Sequence, residues 1–137
     1  MLVVLLCGWA LWADEARIQA EPNLEKRSRV ALDEAEDSVD AAKKAYHVGD
    51  LTTAEQRIDD VARYTEMAFA ALKATGKNPR RSPKHFKHAE IKSRSLLRQL
   101  DGLAHYMDAS DRTMVDPAKE RIRKVNEEIL AGIMGKK

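Results

Sequence analysis

KAYHVGDLTTAEQRID, residues Lys44 to Asp59, decides how this chain folds. Gly49 stands where a helix would end in a left-handed residue, the position glycine fills without a Cβ penalty. Asp50 suits the cap of a following helix, and Thr52 with Glu55 has the spacing of a capping box. So short a connection makes the two flanking segments antiparallel neighbours, a helical hairpin. On the far side of the turn, Leu51, Ala54, Ile58, Val61, Thr65, Ala68 and Leu72 recur in alternating steps of three and four. That period predicts an amphipathic helix to about Thr75, with Ala62 and Phe69 widening its apolar stripe.

Working backwards, Asn23 can cap a first helix that runs to about Val48. Its inner positions are Leu24, Ala31, Ala35, Val39, Ala42 and Tyr46. Working forwards, Gly76 ends the second helix and a loop holding Pro79 follows. Ser82 is placed to cap a third helix with Pro83 at its first position. Phe86, Ala89, Leu96, Leu100, Leu103 and Met107 mark the inner face, with Leu97 and Ala104 beside it. The third helix is expected to end near Asp108. A fourth begins at Asp111 or at Asp116; the later start puts Pro117 in the first turn, and the earlier one predicts a kink. Its seam is Ala118, Ile122, Val125, Ile129 and Ile133.

The expected fold is therefore all-α, an up-down-up-down four-helix bundle over residues 23–137. Helical-hairpin repeats of about 34 residues share the texture of the quoted turn, but these helices are too long for that period and no second copy is visible. Composition agrees with long helices: 34% of the 137 residues are charged and only 5% aromatic. Met1 to Ala13, MLVVLLCGWALWA, is apolar on all sides. Thirteen residues fall short of the roughly 20 that span a bilayer and match the hydrophobic core of a signal peptide. Residues 1–13 are expected to direct export to a periplasmic or secreted location, and residues 14–22 to form a polar connector. Cys7, in the expected leader, is the one cysteine, so no intramolecular disulfide is available.

The net charge of +2 conceals a strong asymmetry. From Asp14 to Leu72 there are 14 acidic and 8 basic side chains, and from Lys73 to Arg98 one acid, Glu90, and 9 bases. Arg80, Arg81, Lys84, Lys87 and Arg94 form a basic loop and helix start, a place for phosphate, another polyanion or an anionic headgroup. The competing arrangement lays the acidic first hairpin along these bases and neutralises them. Phe86 is the one aromatic residue between Gly76 and Arg98, so stacking on nucleic-acid bases has little support.

Known catalytic patterns are missing. There is no Glu-x-x-His, no His-Glu-x-x-His, no Gly-x-Ser-x-Gly and no glycine-rich phosphate loop. His85 and His88 are three apart, yet Lys84 and Lys87 oppose a cation there. The acid pairs Asp33/Glu34, Glu36/Asp37 and Asp59/Asp60 are adjacent in sequence, so their members diverge on a helix and read as solvated surface. No catalytic, cofactor or metal site is expected.

The run ATGKNPRRSPKHFKHAEIKSRSLLRQL, with GDLTTAE before it and IMGKK at the end, resembles a group of small exported helical bacterial proteins without an assigned activity. The likeness spans most of Val30 to Lys137. It implies a helical fold and an envelope location, and it brings no catalytic residues. The sequence thus leads to an exported, non-enzymatic helical bundle with a structural or protein-interaction role in the bacterial envelope, or alternatively a binder of polyanions, phosphate or headgroups through residues 77–98.

Overall fold

A computed structural model describes residues 14–135. The segment expected to be a signal peptide lies outside the described residues. Four long helices, α1 (Leu24–His47), α2 (Leu51–Ala74), α3 (Lys84–Tyr106) and α4 (Asp116–Met134), are joined by short connections. A 3-10 turn at Arg112–Val115 leads into α4. No strand occurs among the described residues, and no helix there is long and apolar enough to cross a membrane.

The helix ends form for local reasons. Asn23 Oδ1 accepts from Lys26 N at 2.9 Å and caps α1. Gly49 adopts φ +80°, which closes α1 and reverses the chain. Asp50 caps α2, accepting from Thr53 N at 3.1 Å and Thr53 Oγ1 at 2.7 Å. Thr53 therefore completes this cap, in place of the expected Thr52/Glu55 box, because its amide and hydroxyl reach the same carboxylate. Those two bonds hold Asp50 below the ordinary carboxylate range, the hydroxyl contributing most. The α3 start also differs from expectation. Pro83, not Ser82, precedes the first helical residue, and no side chain caps it. Asn78 organises the loop instead: its carbonyl accepts from Ser82 N at 2.8 Å, and its side chain accepts from Arg80 N at 2.8 Å. The fourth helix takes the later of its two starts, with Pro117 in the first turn and no proline in its interior.

The helices alternate in direction, but they do not stand in simple sequential order around a square. α1 packs most extensively on α2, and α3 on α4. α1 also lies beside α3, and α2 beside α4, while α1 and α4 hardly touch. Two antiparallel hairpins are thus laid side by side, like-directed helices adjacent. The core between them holds Leu32, Ile58, Val61, Leu72, Leu96, Leu100 and Ile122, each nearly inaccessible. The expected inner positions of α3 are all buried, as are four of the five expected for α4, Ile133 being half-buried. Leu51 is exposed despite its place in the three-four pattern, because it sits at the open end of α2 beside the turn.

The stretch read as a polar connector is different. Residues 14–20 are helical, and Ile18 is completely buried against the first hairpin. Arg17 pairs with Glu34 of α1, while Asp14 and Glu15 reach Arg57 and Arg63 of α2 at 3.7 and 3.1 Å. This third layer explains why Glu34 and Asp60, expected at the surface, are buried. Asp60 is only 3% exposed, and Arg63 and Arg57 lie 2.7 and 3.7 Å from its oxygens. Burial pushes its carboxyl up from the ordinary value, and the two guanidinium groups oppose that shift.

Candidate anion-binding site

The loop between the two hairpins and the first turn of α3 meet at one end of the molecule. Pro79 and Arg80 rest against the last turn of α4. A Cβ on Gly132 would stand 3.1 Å from Pro79 Cγ, and one on Gly135 3.2 Å from Arg80 Cδ. The absence of side chains at these two glycines lets the loop sit down on α4 and fixes where Arg80 emerges.

The bases of the segment divide into two groups, those that meet a carboxylate of α1 and those that do not. Lys77, His85 and Lys92 turn towards α1. Lys77 Nζ donates to Glu25 Oε1 at 2.5 Å, His85 Nε2 lies 2.9 Å from Glu25 Oε2, and Lys92 Nζ donates to Glu36 Oε1 at 2.9 Å. Lys77's hydrogen bond holds Glu25 below the ordinary carboxylate range, with the charges of His85 and Lys84 acting in the same sense. His88 is half-buried nearby. Burial lowers its pKa, and the cationic Arg29 and Lys92 lower it further.

Arg80, Arg81, Lys84 and Lys87 are not held in this way. All four are exposed, and none is in an ion pair among the described residues. Arg94, the fifth expected site residue, is exposed but donates to Glu90 at 3.0 Å one turn back on its own helix. Of the acids of the first hairpin that could have covered them, Glu34 pairs with Arg17, Glu36 with Lys92 and Asp59 with Arg121, while Asp37 and Asp40 are exposed and form no ion pair with the four. Carboxylates of the first hairpin therefore hold Lys77, His85 and Lys92 and form no ion pair with the other four.

Two further members of this surface were not singled out as site residues in the sequence. Lys84, Lys87, Ile91, Arg94 and Arg98 follow one another in steps of three, four, three and four, and all five are exposed. They form a straight outer ridge on α3, opposite the core stripe, about 21 Å long at 1.5 Å per residue. Ile91 stands in its middle with 55% of its surface exposed. The same periodicity that identifies a buried stripe identifies this one, once the cations are counted as the repeating feature. At its foot the unpaired backbone N–H groups of the first α3 turn add partial positive charge.

No protein-family model, curated protein or solved structure matches this chain. The arrangement itself carries what can be said of its chemistry. Among the described residues no group of three or more His, Cys, Asp or Glu side chains is placed to hold a metal ion. The other histidines are tied into the fold: His47 Nδ1 lies 2.6 Å from Tyr106 Oη, and His105 Nδ1 lies 2.8 Å from the Asp101 carbonyl. His105 is exposed. The outward cations present hydrogen-bond donors and positive charge, which suits the binding of an anion.

Proposed function

We propose that this chain is a non-enzymatic binding module that seats the α3 ridge and the loop before it on a phosphate-bearing membrane surface. The observation that carries this reading is the set Arg80, Arg81, Lys84 and Lys87, exposed and without ion pairs among the described residues while Glu25, Glu34 and Glu36 of α1 hold other bases. A straight ridge of cations with one isoleucine suits a flat anionic surface. Each base can meet a headgroup, and Ile91 can enter the interface between them. In the same reading residues 1–13 export the chain, and the surface it meets is an envelope membrane.

The test is sedimentation with vesicles of phosphatidylcholine containing phosphatidylglycerol. Wild-type protein is expected to bind at low ionic strength and to dissociate as salt rises, since the Debye length shrinks to about 10 Å at 0.1 M. Replacing Arg80, Arg81, Lys84 and Lys87 together by Gln is expected to weaken binding by roughly a hundredfold or more, at about a fivefold loss per base. Wild-type protein that ignores anionic vesicles at low salt would remove the reading.

A second reading, a protein-interaction module, has its own observation at the other end of the molecule. Val48, Leu51 and Tyr106 are 77%, 43% and 44% exposed around the α1–α2 turn. A partner docking there would protect Tyr106 and leave the basic end free.

A further inference from the structure

We propose that the cleft between the first turn of α1, the end of α2 and the first turn of α3 is a subsite for a phosphate monoester, and that Glu25 is its resident competitor. This rests on the surface-binding reading above and adds to it which anionic group is preferred and what restrains its binding. The cleft has a volume of about 220 Å³, and its polar lining includes Glu25, Thr75, Lys77, Ser82, Lys84 and His85. Lys84 belongs both to this cleft and to the foot of the outer ridge, so one approaching surface reaches the two together.

Glu25 lines the cleft and takes up two of its donors as a ligand would. Its two oxygens are held separately, Oε1 by Lys77 Nζ at 2.5 Å and Oε2 by His85 Nε2 at 2.9 Å, from the loop and from α3. Two donors on different elements converging on one carboxylate form a bidentate anion site that the protein fills with its own side chain. The attachment is open to exchange, because the Glu25 side chain remains 24% exposed. Among the described residues His85 has no second hydrogen bond through Nδ1, so the ring can turn towards a new anion without breaking another hydrogen bond.

The stoichiometry of charge selects the incoming group. A phosphate monoester carries about −1.5 to −2 and three acceptor oxygens, enough for Lys77, His85 and Lys84 at once. A diester brings a single charge and two free oxygens, the same as the carboxylate it would displace. Monoesters therefore gain by the exchange and diesters do not.

The experiment compares phosphatidylcholine vesicles containing phosphatidic acid, a monoester, with vesicles containing phosphatidylglycerol, a diester, at matched surface charge. Wild-type protein is expected to prefer phosphatidic acid. Glu25→Gln is expected to raise the ratio of the two affinities by about two- to fivefold, the span of one exposed ion pair. A general gain of positive charge would strengthen both and leave the ratio unchanged, and that result overturns the proposal. Lys77→Gln is expected to bring the ratio towards one; an undiminished ratio in this variant also overturns it, and this arm decides should Glu25→Gln not fold. Glycerol 3-phosphate added without vesicles is expected to shift the His85 ring resonances if a free monoester suffices, whereas a shift with phosphatidic acid alone assigns the site to the lipid. No shift with either overturns the proposal. Wild-type protein that binds neither vesicle removes the surface reading itself, whereas binding without preference removes the cleft alone.

Discussion

Gly49 shows how much a single residue carries. Its φ of +80° is a conformation that β-branched side chains occupy poorly, yet a Cβ there would meet no atom within 4 Å. Any penalty at this position is therefore backbone strain and not a clash. Gly49→Val is expected to lower stability by at least about 1–2 kcal/mol. Gly49→Asn should cost less, since asparagine tolerates the left-handed region; equal melting temperatures for the two variants would contradict this account. Asp60 offers a second test, through pH. Its carboxyl is raised in the folded protein by burial, so folding is favoured while it is protonated. That contribution is fully present below its unfolded-state value and is lost as pH rises through the folded-state value. Asp60→Asn removes the titrating group, so the melting temperature of wild type relative to this variant is expected to fall across that window. A difference that rises with pH would show that pairing with Arg57 and Arg63 outweighs burial.

Among the elements, α2 is held from two sides. One stripe, with Ile58, Val61 and Leu72, faces the core between the hairpins. Asp60 and Tyr64 are buried on the same helix beside Arg63, whose partners include Glu15 of the N-terminal helical residues. Ile58→Asp and, on α3, Leu100→Asp each place an unpaired charge at a site no more than 2% exposed. Loss of a cooperative thermal transition is expected for both, measured by circular dichroism. Ile18→Asp tests the layer that sequence reading took for a connector. It is expected to destabilise the fold, because Ile18 is 0% exposed. An unchanged melting temperature would mean that residues 14–20 contribute nothing to the core.

At the scale of the whole molecule, charge is sorted by face. The α1-facing side of α3 is matched to Glu25 and Glu36, and the outer side is left positive. Replacing Arg80, Arg81, Lys84 and Lys87 by Gln is therefore expected to leave the melting temperature unchanged or higher, because like-charge repulsion is relieved and no ion pair is broken. A marked loss of stability would reveal neutralising contacts at this corner. A separate prediction concerns the first residues of the chain: a reporter fused behind Met1 to Glu21 is expected to leave the cytoplasm, and retention inside would contradict the leader reading.

The helices and their turns were legible in the sequence because they rest on local chemistry. Gly49 and Asp50 mark a turn whatever surrounds them, and a three-four apolar period specifies a buried face without naming what covers it. The basic segment was equally visible, as was its division between an inner stripe and an outer surface. What covers each face is a matter of tertiary structure. Ile18 is one apolar residue among polar neighbours and has no period to announce it; only its contact with the first hairpin turns residues 14–20 into a core layer and buries Glu34 and Asp60. The side-by-side placement of the hairpins, with α1 next to α3, likewise depends on packing between segments far apart in the chain. That placement decides that Lys77, His85 and Lys92 meet carboxylates while Arg80, Arg81, Lys84 and Lys87 do not. Identical residue types in one short stretch acquire opposite roles because the side of a helix that meets a neighbour is set by the neighbour.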